Sequence, residues 1–358
     1  MATLFWFLLI VFRYFKITVP LATSAKTRCY IYNVCQTIYV VNALRFGMAS
    51  SNKSIYAALT ANLLIAIIKF IAGYFSSSAA MVAEGVHSVV DTANQVLLLF
   101  GLKQSRKKPD AARPFGYGKE LYFYSFIVSI LIFGLGGGVS MYQGITHIIK
   151  PEMPGDPTWN YVVLGCSVIF EGSSLFIAAK EFNKLRGELS WWQAITKSKD
   201  PSTFLVLFED SAAVVGLVIV AVCLFLGHTY HISYLDGLAS LLVGIILIGV
   251  SLILARESRS LLMGEGISLS TKKRITEIVE QDADVLKLMH IMSTYQSPSE
   301  VLLMLIVSFK DNLDTAGINN AIIRIRNKVK DEYNLIHFVI IQPDTFMEKV
   351  SANVQLYI

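Results

Sequence analysis

Three polar residues stand at helical spacing inside a segment that is otherwise apolar. Glu84, His87 and Asp91 all lie within residues 79–102. Residues three and four apart share one face of an α-helix, so the three side chains would form a stripe. An ionised Asp at the centre of a membrane helix costs roughly 2.5–3.5 kcal/mol, so it needs a partner or a function. Imidazole and carboxylate groups together suit Zn²⁺, and with more oxygen ligands Mn²⁺ or Fe²⁺.

Further acidic residues fall in later apolar segments, namely Glu171, Glu209 and Asp210. Five ionised and unpaired acids would cost of order 10 kcal/mol to insert, so they must converge, protonate or bind a cation. Two interpretations of the stripe remain open at this point: a hydrogen-bonded pair that stabilises a bundle, or metal ligands. The acids on a second helix favour a metal site.

Glu171 has a competing interpretation, because the hydroxyls of the following Gly-Ser-Ser could satisfy its carboxylate. Asp236 lies near the start of the last apolar segment, and we expect it to cap that helix. His228 and His231 precede that segment and are expected to be solvated.

The composition indicates a membrane protein. Of 358 residues, 54% are hydrophobic and 16% are charged, well below the roughly 25% charged residues of soluble domains. The basic residues flank apolar segments instead of forming a stripe with aromatics, which argues against nucleic-acid binding.

Six apolar segments are long enough to be membrane helices. They cover residues 55–75, 79–102, 121–149, 159–179, 204–226 and 232–255. Lys and Arg concentrate in the loops after the second and fourth segments and again after the sixth, which places both ends of the six-helix unit in the cytoplasm. The third segment contains Gly134, Gly136, Gly137 and Gly138, and the GxxxG spacing of Gly134 and Gly138 predicts a helix-packing face.

The remaining regions complete the expected organisation. Residues 48–262 form the six-helix domain, and residues 263–345 show the order αββαβ, which predicts a small cytoplasmic α+β domain of ferredoxin-like type. The exposed sheet face of such a domain favours a homodimer. Residues 1–47 are expected to be a removable leader or an over-extended N-terminus, with a seventh span or a targeting segment as the alternative. Residues 346–358 are expected to be a tail.

The chain as a whole resembles the cation diffusion facilitator family of zinc and manganese exporters. The resemblance rests on the polar residues of the second and fifth segments, the loop RPFGYGKE (113–120), the six spans and the αββαβ domain. The stretch AEGVHSVVDTANQ from Ala83, the DPST of 200–203 and the LFEDSAAV of 207–214 are similar to the branch that contains mammalian zinc transporter nine.

The resemblance implies a homodimeric antiporter that exports a divalent metal, most simply Zn²⁺, in exchange for protons by alternating access. The family's site takes two ligands from each of the second and fifth spans, four residues apart. Here His87 and Asp91 match, and both would couple transport to protons. In the fifth span only Asp210 matches, because Val206 stands one turn earlier. Glu209 and Glu171 are further ligand candidates, and the oxygen-rich set makes Mn²⁺ or Fe²⁺ export the alternative.

Other family features differ in this sequence. Arg113 and Tyr117 stand in the basic loop where histidines commonly hold a second metal, and the C-terminal domain offers only His290 and His337. We therefore expect no regulatory metal cluster and no permanently bound cofactor.

Two functions of other classes remain as rivals, a membrane metallohydrolase and a metal sensor that does not transport. The sequence contains no HExxH motif and no evident nucleophile with its base, so an enzyme is not expected. With no Arg- and Ser-rich transit peptide evident, the expected location is the bacterial plasma membrane.

Overall fold

The computed structural model describes residues 52–151, 158–187, 189–191, 193–194 and 199–344. The sequence predictions for residues 1–47 and 346–358 lie outside the described residues. The described part consists of long helices followed by a small α/β domain, which confirms the predicted fold class.

Helical segments stand at all six predicted spans. They are α1 (Asn52–Ser76), α2 (Ala79–Ser105), the pair α3 (Glu120–Leu131) and α4 (Val139–Ile149) joined by a π-helical segment (Ile132–Gly138), α5 (Thr158–Leu185), α6 (Pro201–Tyr230) and α7 (Tyr234–Leu262). Most extend several residues beyond the apolar segments predicted from the sequence.

Four of these helices in the described chain are long and apolar enough to cross a membrane by composition alone. They are the continuous helix Glu120–Ile149 and the apolar parts of α5, α6 and α7. In α1 the apolar stretch is shorter, Asn62–Ser76. The helix α2 is not among the four, because its polar residues lower its mean hydropathy. Inside a membrane, Glu84, His87 and Asp91 need partners supplied by neighbouring helices.

Glycines pack the helix α4 closely against α7, but they are not the glycines that the GxxxG spacing predicts. A Cβ added at Gly134 would meet nothing within 4 Å, and one at Gly138 only its own helix. A Cβ at Gly144 would instead lie 2.5 Å from the Leu241 backbone nitrogen and 2.8 Å from the Gly237 oxygen. The predicted GxxxG pair is therefore wrong, but Gly137 of the same cluster does face α7, since a Cβ there would lie 2.5 Å from Ile248 Cγ1. The cluster lies in a π-helical segment, where the spacing of a regular α-helix does not apply.

The C-terminal domain has the predicted order αββαβ. It contains α8 (Leu269–Glu280), β1 (Val285–Ser297), β2 (Glu300–Phe309), α9 (Thr315–Glu332) and β3 (Ile336–Pro343). The sheet order is β1-β2-β3, with β1 antiparallel and β3 parallel to the central strand. Alternate residues of β2, such as Leu303 and Leu305, are buried in the core with Ile275 of α8 and Ile325 of α9.

The other face of the sheet carries an exposed apolar row. Met292, Met304 and Ile340 are in register across the three strands, and each is 38–46% exposed. The exposed sheet face expected from the sequence is therefore present.

Contacts of Arg113 and Tyr117 hold the loop between α2 and α3 in shape. These are the two residues that stand where family members commonly carry histidines. Tyr117 donates a hydrogen bond to Asp110 Oδ2 (2.6 Å), which lowers the pKa of that carboxyl. Arg113 pairs with Glu120 and stacks 4.6 Å from the Tyr117 ring. Here Arg113 and Tyr117 have structural partners within the loop.

The same loop contacts the C-terminal domain. The ring of Phe115 meets that of Phe338 edge to face at 5.9 Å, and a Cβ at Gly118 would lie 2.7 Å from Ser297 Cβ. Lys199, just before α6, pairs with Glu265, just after α7, at 2.6 Å. The two domains therefore meet through short-range contacts on several segments.

The glycine seam between α4 and α7 gives the first prediction. Replacing Gly144 by Ala would push a methyl group into backbone atoms that cannot move away, so we expect a loss of about 1–3 kcal/mol in unfolding free energy. The check is the thermal unfolding midpoint of the detergent-purified protein. Gly134→Ala is the matched control and should unfold like the parent, since its site is open. Equal midpoints for both variants would contradict the packing described.

Candidate functional site

The helix α2, which carries the polar stripe, is fixed at its first turn by a residue of α7. Asp236 accepts hydrogen bonds from Ser78 Oγ (2.5 Å) and from the backbone nitrogens of Ala79 (2.6 Å) and Ala80 (3.3 Å). These nitrogens have no partner within their own helix, and the helix dipole favours a negative charge there. The expectation that Asp236 caps its own helix is therefore wrong: it caps α2.

Four helices enclose a polar cavity of about 170 Å³. Its walls come from α1, α2, α5 and α6, and include Asn62, Ser88, Asp91, Gln95, Glu171, Ser174, Val206, Glu209 and Asp210. Four of the five predicted ligand candidates, Asp91, Glu171, Glu209 and Asp210, thus line one cavity. Their oxygens are the ligand type that hard divalent cations prefer.

Two of the carboxyl groups stand on neighbouring helices beside a buried amide. Glu209 Oε1 of α6 accepts a hydrogen bond of 2.6 Å from Asn94 Nδ2 of α2, and Asp91 stands three residues before Asn94 on the same helix. Both carboxyl groups line the same cavity, where two negative charges would repel each other unless a proton or a cation neutralised one of them. The Asn94–Glu209 bond therefore links α2 to α6 next to Asp91.

The other two carboxylates have partners from different helices. Asp210 Oδ2 accepts a hydrogen bond of 2.8 Å from Ser174 Oγ of α5. Glu171, one turn earlier on α5, has its Oε1 3.6 Å from the ammonium of Lys69. Ser174 carries one of the two hydroxyls that were candidates to bond Glu171. Its hydroxyl bonds to Asp210 instead.

His87 lies next to this cavity without lining it. Its Nδ1 is 3.5 Å from Asp91 Oδ1, the i,i+4 contact that the sequence spacing predicts. The ring is almost fully buried, and its Nε2 has no hydrogen-bond partner among the described residues. Asp91 thus stands between the imidazole and the cavity.

Lys69 is a charged residue of the site that the sequence patterns did not single out, although it stands inside the first apolar segment. Its ammonium is completely buried and donates to Glu84 Oε2 (3.0 Å) and Ser88 Oγ (2.9 Å). A lysine in a membrane helix is a functional-site hypothesis by default, so the signal was available in the sequence. Asn94, three residues after Asp91, was missed as well.

The described residues contain no group of three or more His, Cys, Asp or Glu side chains already arranged as a metal centre. The acids surround a cavity, and Glu209, Asp210 and Glu171 contact Asn94, Ser174 and Lys69. To hold a common ion, their side chains would have to turn away from these partners.

Comparison with known proteins decides the family. The family profile described as "Cation efflux transmembrane domain" matches residues 55–263, more than half of the chain. The chain belongs to the cation diffusion facilitator family. The family is one of cation efflux transporters of the membrane and not of enzymes.

Several relatives of known name are about one-third identical. "Proton-coupled zinc antiporter SLC30A9, mitochondrial" of Xenopus laevis is 33% identical over 316 residues, which are 86% of this chain and 56% of the relative. The human protein of the same name is 34% identical over 68% of this chain and 43% of its own length. "Metal tolerance protein C4" of Arabidopsis thaliana is 33% identical over 77% of this chain and 60% of its own. The chain therefore spans about half the length of these relatives.

The relatives confirm the predicted branch and correct the predicted location. The SLC30A9 proteins are named mitochondrial, so the expected bacterial plasma membrane is not supported.

Among solved structures, a MamM CTD in its nickel form is similar to part of the chain. The match covers 22% of this chain and all of the MamM chain, with 12% identity and a TM-score of 0.21.

The cap on α2 gives the second prediction. Asp236→Ala removes the acceptor of three bonds at the buried start of α2, so we expect about 1–3 kcal/mol less unfolding free energy. Asp236→Asn keeps one oxygen and should lose less. Thermal unfolding of both variants in detergent checks this order, and an Ala variant as stable as the parent would refute the cap.

Proposed function

We propose that the chain moves Zn²⁺ across its membrane in exchange for protons, by alternating access. The observation that carries the proposal is the cavity lined by Asp91, Glu171, Glu209 and Asp210 between α1, α2, α5 and α6. The zinc antiporters named among the relatives support the choice of ion.

In this proposal Asp91 and Asp210 are metal ligands, His87 joins them from the adjoining turn, and Glu209 and Glu171 complete the shell. A metal binds only deprotonated ligands, so loading releases protons, and reprotonation releases the metal. Asp91 and Glu209 line the same cavity, so an arriving ion would displace a proton held by either of them. His87 and Asp91 therefore act both as ligands and as proton carriers.

Manganese is the second candidate because the cavity walls offer oxygen and no imidazole among the described residues. Sites rich in carboxylate oxygens suit Mn²⁺ better than sites with several nitrogen ligands. A "Manganese efflux system protein MneP" of Bacillus subtilis is 22% identical over 84% of this chain.

We also propose that the transporter is a homodimer joined in part through its C-terminal domain. The row of Met292, Met304 and Ile340 is the support, since an exposed apolar patch on a sheet face favours association.

For the location we propose a mitochondrial membrane, on the basis of the relatives' names. Fractionation of cells that express a tagged chain would test that location.

The transport site gives the third prediction. Asp91→Asn keeps the shape of the side chain but removes a charged ligand and a proton carrier. Since even residues that only orient a ligand change metal affinity by 10–100-fold, we expect zinc flux to fall at least about tenfold. The measurement is Zn²⁺ uptake into proteoliposomes under a pH gradient.

Asp331→Asn, an exposed residue of α9, is the matched control for this experiment and should transport like the parent. Parent-like flux in the Asp91→Asn variant would refute the ligand assignment. A parent protein that moves no Zn²⁺ under any gradient would refute the proposed function.

Ion selectivity gives the fourth prediction. Val206 lines the cavity one turn before Asp210, so Val206→His would add a nitrogen ligand at the position that the family pattern uses. We expect the ratio of Zn²⁺ to Mn²⁺ affinity to rise about tenfold. Isothermal titration with each ion measures the ratio, and Val206→Leu controls for added bulk. An unchanged ratio in the His variant would place Val206 outside the coordination shell.

A further inference from the structure

Lys69 is a fixed positive charge beside the transport cavity, and the transport scheme above gives it no role. It joins three helices: it lies on α1, bonds to Glu84 and Ser88 of α2, and faces Glu171 of α5 at 3.6 Å. Glu84 stands seven residues before Asp91, which is about 10 Å along a helix. The ammonium thus lies on the side of the cavity toward the α1–α2 turn.

Lys69 interacts with Glu84 and with Glu171 in different ways, at 3.0 Å and 3.6 Å. Glu84 is the hydrogen-bonded partner of Lys69 and does not line the cavity, whereas Glu171 is a looser ionic neighbour that does. One oxygen of Glu171 therefore faces the ammonium while its carboxylate belongs to the cavity wall. A divalent ion that took Glu171 as a ligand would have to compete with Lys69 for it.

We propose that Lys69 is a tethered counter-cation that competes with the transported ion for Glu171 and so limits the affinity of the cavity for metal. This inference rests on the proposed function. A transporter must release its cargo as well as bind it, and a resident charge that reclaims one ligand favours release. Glu84 holds the ammonium at a fixed distance and keeps it from binding Glu171 more closely.

The proposal predicts opposite effects for two variants. Glu84→Gln removes the main partner of Lys69, so the ammonium should turn to Glu171 and weaken metal binding. The double variant Lys69→Met, Glu84→Gln removes the pair while leaving the formal charge unchanged, so Glu171 becomes free to bind metal. Replacing both members of a buried ion pair is often neutral for stability, whereas removing one is costly, so the double variant is expected to fold.

The experiment measures Zn²⁺ affinity of the full chain in detergent by competition with a fluorescent zinc chelator. We expect the double variant to bind at least about fivefold more tightly than the parent, the scale of coupling between contacting charged groups. Glu84→Gln should bind more weakly than the parent. A purely structural role for the pair would not increase affinity in either variant.

Glu171→Gln supplies the decisive background. The gain from the double substitution should disappear there, because Lys69 acts through Glu171. An unchanged or weaker affinity of the double variant overturns the proposal, and so does an equal gain with and without Glu171. If the parent itself binds no Zn²⁺, the proposed function fails instead, so the two failures are distinguishable.

Discussion

The cost of keeping charge inside a membrane governs the arrangement of this protein. Each buried acid needs a cation, a proton or a hydrogen-bond donor, and the helices supply these from their neighbours. Lys69 partners Glu84, Ser174 partners Asp210, and Asn94 partners Glu209. The polar contacts therefore decide which helices can be neighbours, while the apolar residues around them give close packing without specifying it.

The site gains its chemistry from the fact that its partners differ in strength. Asp236 accepts bonds of 2.5 Å from the Ser78 hydroxyl and 2.6 Å from the Ala79 backbone nitrogen, so the start of α2 is a fixed point. The contact of Lys69 with Glu171 is longer, at 3.6 Å. In the proposed transport cycle, a divalent cation replaces the longer contacts and leaves the bonds at the helix end in place. Binding and release would then be a change of partners among side chains that stay buried.

A structural feature was predictable from the sequence where its cause lies within one segment of the chain. The spacing of Glu84, His87 and Asp91 predicted one face of α2 because helical periodicity is local. The αββαβ order followed from strand and helix patterns in the same way. The partner of Asp236 was not predictable, since its position in the first turn of α7 suggested the nearest helix end, and only the packing of α7 on α2 brings it to another. The prediction of the GxxxG pair failed for a related reason. The π-helical segment alters the helical period, so a spacing rule for regular helices selected glycines that do not face α7.

The cap by Asp236 also limits how the sequence can change in length. Because the start of α2 is fixed from α7, the number of residues between Ser78 and Asp91 sets both the height of Asp91 in the bundle and the direction in which it points. One inserted residue would raise it by about 1.5 Å and rotate it by about 100° away from the cavity. Homologous chains that keep this cap should therefore tolerate substitutions in this segment of α2 far better than insertions or deletions.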